Sequence, residues 1–103
     1  MLEKENDLEQ MQEPLQEEKT LVLRKPVTLG GVVYESLDLR EPTAMELSKA
    51  SKAGGSVDIA IQLISIIAKV PVGAIGRLGQ RDFQEAADFL SSFTPDGPQI
   101  GEK

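Results

Sequence analysis

Carboxylates are the most abundant groups in this chain that could do chemistry. The 103 residues include 17 Asp and Glu but no histidine and no cysteine. The usual acid/base residue near neutral pH, the commonest metal ligand and the thiol nucleophile are therefore all missing. Asp38, Glu41, Glu46, Asp58, Asp82, Glu85 and Asp88 fall at expected caps, strand faces and the solvent sides of helices, where solvated charge is the expected state. The segment "GAIGRLG" has glycines three apart, but not in the order of a dinucleotide or P-loop fingerprint and without the lysine that reaches phosphates. The sequence thus calls for no cofactor and no metal, and it reads as a binding protein rather than an enzyme.

The elements that position these groups are legible from periodicity. Residues 20–41, "TLVLRKPVTLGGVVYESLDLRE", alternate apolar and polar positions on either side of Gly30-Gly31, a pair suited to a two-residue hairpin turn with positive φ. Pro26 cannot donate to a ladder, so its strand is predicted to be an edge or to bulge there. Thr43 followed by Glu46 forms a capping box for a helix that Gly54-Gly55 ends. Ser56 is expected to cap a second helix running to about Val70, where Pro71 breaks it. One helical turn is expected around residues 74–78, and a last helix from Gln80 to Phe93. The predicted class is α+β: an N-terminal β-hairpin followed by three to four α-helices, in one small domain at 20–93. Residues 1–19 read as a disordered acidic arm and 94–103 as a flexible C-terminal tail.

The second of these helices sets the functional question. In "VDIAIQLISIIAKV", residues 57–70, Asp58, Gln62, Ser65 and Lys69 share a stripe about 60° wide, and ten apolar residues fill an arc of about 220°. A helix on the surface of one core needs an apolar stripe of only about 100° or somewhat more. The excess is expected to be covered on one side by the last helix and on the other by the hairpin, leaving an apolar patch of the kind that marks partner surfaces.

Charge narrows the class further. Residues 1–19 carry seven acids against two lysines, whereas 20–93 carry eight acids and eight bases. The acidity lies outside the predicted fold, and there is no basic stripe for phosphate, which argues against nucleic-acid binding. Reading 57–93 as a helix-turn-helix would present Gln84, Glu85 and Asp88 to phosphate, which repels them. The opening "MLEKENDLEQ" lacks an apolar core for a secretion signal, and the apolar run is too short and too interrupted to span a bilayer. A soluble protein of a reducing cytosol is the expectation.

Residues 23–47, "LRKPVTLGGVVYESLDLREPTAMEL", followed by an apolar helix, a "PVGAIGRL" turn and "RDFQEAADFL", resemble the tail assembly chaperones of Mu-like and P2-like contractile-tailed bacteriophages. The carrying positions are Lys25-Pro26, Gly30-Gly31, Leu39-Arg40-Glu41-Pro42-Thr43, Leu78 and Asp82-Phe83, in a match over about 21–93. The resemblance implies a non-catalytic protein of the host bacterial cytoplasm, absent from the mature virion. Such a protein binds the tape measure protein and keeps it soluble until tail-tube subunits replace it. It also implies relatives expressed in two forms, the longer through a frameshift. Under that reading Ile61, Ile64, Ile67 and Ala68, with Phe89 and Phe93, supply the partner-binding surface, and the acidic arm keeps the loaded complex soluble. Arg40 and Glu41 are read as a strand-end ion pair near the helix cap, or as a partner contact.

The alternatives are a small structural component of the tail or baseplate that adds strands at its hairpin edge, and an acidic regulatory protein. The isolated hairpin favours a homo-oligomer over a monomer.

Overall fold

Two glycines close the first element. Gly30 and Gly31 adopt φ of 59° and 82°, the paired positive values of a type I′ turn, which match the twist of the strands they join. In the computed structural model, which describes residues 17–93, β1 (Glu18–Leu29) and β2 (Val32–Arg40) form an antiparallel two-stranded sheet. Leu21 faces Leu37 and Val22 faces Ser36, but the register then shifts until Val27 faces Tyr34. The predicted disturbance at Pro26 is therefore a bulge spanning the residues between Val22 and Val27. Leu21, Leu23, Val27, Leu37 and Leu39 are buried on the face that meets the helices. Of the acidic arm expected at 1–19, residues 1–16 lie outside the described residues, while Glu18 and Lys19 already belong to β1, because they pair with Arg40 and Leu39. The tail expected at 94–103 lies outside the described residues.

Four helices follow: α1 (Ala44–Ser51), α2 (Ser56–Ala68), α3 (Val72–Ile75) and α4 (Gln80–Ser91). The capping box at α1 is formed as predicted. Glu46 N–H donates to Thr43 Oγ1 at 3.1 Å, and Thr43 N–H donates to the Glu46 carboxylate at 2.9 Å. At α2 the expectation is corrected. Gly55, not Ser56, is the N-cap, and no side chain caps the helix. Its end also comes two residues early. Lys69 turns left-handed at φ 60°, its N–H donating to Ser65 O at 2.9 Å, so Pro71 meets a chain that has already left the helix. The expected turn lies earlier than 74–78, with Pro71 as the N-cap of α3, and α4 ends at Ser91.

α2 packs against β2 and α3, α3 also meets β1, α4 packs against both strands and α2, and α1 leans on α2. Ile64, Ile67, Ala74, Ile75, Ala86 and Leu90 join the strand leucines in one core. Burying one side chain of the size of Ile64 stabilises the fold by roughly 1.5–3 kcal/mol. The greasy helix is central, as its wide apolar arc demands. Among the described residues, no helix is long and apolar enough to cross a membrane.

Candidate partner-binding surface

Asp82 departs most from the expected solvated state. Its side chain is 1% exposed, and it sits where the bulge of β1 has freed backbone donors. Arg24 N–H donates to its Oδ2 at 2.8 Å, Lys25 N–H donates to the same oxygen at 3.3 Å, and the Arg24 guanidinium donates to Oδ1 at 2.6 Å. Burial pushes the Asp82 carboxyl up, but the Arg24 guanidinium and the two backbone N–H groups outweigh it and hold it below the usual value. All three hydrogen bonds to this carboxylate come from Arg24 and Lys25 at the bulge. It is a structural group. Glu85 extends the cluster by accepting from Arg24 at 3.0 Å and pairing with Lys19 at 3.5 Å.

At the other end of β2 the predicted partner of Arg40 is corrected. The guanidinium reaches past Glu41 to grip both oxygens of Glu46, at 2.9 and 2.7 Å, and touches only the main-chain oxygen of Glu41. A bidentate fork needs a carboxylate held in plane, and the capping box already fixes that of Glu46. The Arg40 guanidinium, with the Thr43 N–H next in weight, lowers the Glu46 carboxyl to about 2.

With Asp82 and Glu46 assigned to structure, the clefts between the helices are the candidate surface, and their lining is mostly apolar. α4 crosses α2, and a groove opens on each side of the crossing. The larger, about 390 Å³, is walled by Val57 and Ile61 of α2, by Ile75, Gly76 and Leu78, and by Gln80, Phe83 and Gln84 of α4. The smaller, about 210 Å³, runs between Leu47 of α1, Ile59, Ala60 and Leu63 of α2, and Ala87 and Leu90 of α4, with Ile64 at its floor. Val57 is 59% exposed, and Met45, Leu47 and Val72 are also exposed. For a small domain this is a substantial apolar surface beside open clefts.

Residues 20–95 match the family of "phage tail assembly chaperone proteins, E, or 41 or 14". The chain belongs to that family. No curated protein and no solved structure matches it. Membership gives the protein a role in phage tail assembly and partners among phage tail proteins. The matched span takes in the whole described fold except its first three residues, so the two apolar grooves, the bulge and the Arg24–Asp82 and Arg40–Glu46 pairs lie within it.

The chaperone does not gather the six residues expected at its binding surface into one place. Ile61 lines the larger groove and Ile64 is fully buried beneath the smaller one. Ile67, 4% exposed, and Ala68 border a third, mostly polar recess of about 380 Å³ with Lys19, Asp38, Arg40 and Lys69. Phe89 and Phe93 stack edge to face at 5.2 Å and line neither groove. Sequence reasoning passed over Val57, Leu47, Leu78 and Phe83 as surface residues. The signal for Val57 was present, since it lies in the first turn of an apolar helix, two residues after Gly55, where no preceding turn can cover it.

Proposed function

We propose that the protein binds the tape measure protein and holds it soluble until tail-tube polymerisation, acting in the host bacterial cytoplasm and leaving before the virion matures. The observation that carries this reading is the pair of open apolar grooves on the helical layer of a tail assembly chaperone. A long tail protein awaiting assembly presents amphipathic helices with nothing to bury their stripes, and a cleft between crossing helices accepts such a stripe through anchors at i, i+3, i+4 and i+7. Ile61 contributes directly, and Ala68, Phe89 and Phe93 retain partial exposure for a wider contact. Ile64 and Ile67 act from beneath, by holding α2 in place. The protein works by binding alone, with no catalytic step.

Co-expression with the tape measure protein of the same phage or prophage, followed by light scattering of the purified material, tests the reading. The expected result is a soluble complex with several chaperone copies per tape measure chain. Precipitation of the tape measure protein whether or not the chaperone is present would overturn it. The second reading, a structural tail component, draws on the two-stranded sheet, whose outer edges have no strand partner among the described residues. Stoichiometric presence in purified particles would select that reading instead.

A further inference from the structure

The larger groove has a sidedness that bears on the kind of helix it takes. Its walls are helices and the turn between them, whose backbone groups are largely spent internally, and its polar lining is limited to Gln80 and Gln84 side chains and the turn at Gly76. An occupant that buries its own backbone there must satisfy that backbone itself, which selects a helix over an extended segment. The rim is charged unevenly. Arg77 stands in the turn between the lining residues Gly76 and Leu78, and Gln80 is shared with an adjoining recess of about 200 Å³ bordered by Lys25 and Arg81. Arg77 and Arg81 are exposed. Unlike Lys19, Arg24 and Arg40, the cations Lys25, Arg77 and Arg81 have no carboxylate partner among the described residues. On the opposite wall the neighbour of Val57 is an acid, Asp58, also exposed.

We infer that the groove between α2 and the α3–α4 turn docks an amphipathic helix with an acidic flank, laid so that the acids face Arg77 and Arg81 and any bases face Asp58. This rests on the chaperone reading above and deepens it by naming the chemistry of the segment held. The apolar stripe supplies the burial. The flank charges fix which way round the helix lies, because exposed pairs steer and orient a complex more than they tighten it. An acidic-flanked helix is also one whose own aggregation is slowed by like charge, so the charges on Arg77 and Arg81 give a preference among many available stripes.

The test uses the full chain and two fluorescent 20-residue helical peptides sharing one leucine stripe, one with glutamates along a single flank and the other with lysines there, followed by anisotropy at low and high salt. The glutamate peptide is expected to bind about threefold more tightly, with the preference shrinking at 1 M salt, where the screening length is about 3 Å. The double substitution Arg77→Glu/Arg81→Glu should invert the preference, and Val57→Glu should weaken both peptides. All three positions are exposed, so the fold should survive these changes. Equal affinity for the two peptides, or a preference untouched by the arginine reversals, would overturn the inference. So would tape measure binding that is insensitive to Val57→Glu. A tape measure protein that is not bound at all, alongside the expected peptide preference, would instead sink the chaperone reading and leave the groove's chemistry standing.

Discussion

The hairpin is tied to the helical layer twice with the same chemistry, an arginine on a strand and a carboxylate on a helix, and the two ties differ in burial and reach. Arg24 meets Asp82 across 58 residues of chain, and that carboxylate is almost wholly withdrawn from water. Arg40 meets Glu46 across six residues, and there the carboxylate side chain stays 18% exposed. The short tie combines with a local motif, since the same Glu46 completes the capping box. The long tie repairs a defect by supplying an acceptor to the donors that the bulge removed from the sheet. A carboxylate in the first role can be weakened by degrees. One in the second role leaves partly buried backbone donors without an acceptor when it is lost.

Asp82→Ala should therefore be the most damaging change at either tie. It should cost about 2 kcal/mol in urea unfolding, with faster hydrogen exchange at the Arg24 and Lys25 amides. A loss below about 1 kcal/mol would make the two ties equivalent and break the contrast. Thr43→Ala removes one half of the capping box and should cost about 1 kcal/mol, read from the same unfolding curves, with the bulge amides unaffected.

Acid sharpens the comparison. Both carboxylates ionise below their ordinary values in the folded chain, so the unfolded chain takes up protons first and stability falls as pH drops. For Glu46 the stabilisation is complete above the ordinary value of 4.5 and is lost as pH falls to about 2. Glu46→Gln should flatten the stability profile across that window while leaving the share that belongs to Asp82. A profile identical to that of the unsubstituted chain would mean that Arg40 contributes nothing through Glu46. The smallest effect is expected at the exposed pair beside the long tie. Lys19→Gln should change stability by less than about 0.5 kcal/mol, because Lys19 and Glu85 are each about a third exposed.

The same division explains what could be read from the sequence. The hairpin, the bulge at Pro26 and the capping box were legible because each is decided within a few residues by a turn, a missing donor or a side chain three positions away. The Gly55 cap was misassigned to Ser56 because the two are neighbours, and only the backbone angle of Gly55, extended at φ −91° and ψ 154°, separates them. Asp82 looked like an ordinary first-turn acid of α4. Its burial depends on a strand more than fifty residues earlier, which no local pattern reports. For α2 the wide apolar arc announced a central helix, but periodicity cannot divide such an arc into core and groove. Ile64 and Ile67 went to the core because β2 and α4 close over them, while Val57, at the open end of the helix, did not.

The reach of the long tie also fixes an order in time. A ribosome adds about 5–20 residues per second, so the 57 residues from Lys25 to Asp82 place a delay of roughly 3–11 s between making the bulge and making the group that holds it. The hairpin can close on its glycine turn within microseconds. Its apolar face and the bulge amides must then wait for α4. A chain whose family serves the assembly of other proteins passes through its own interval of exposure during synthesis, and the length of that interval is set by the segment between β1 and α4.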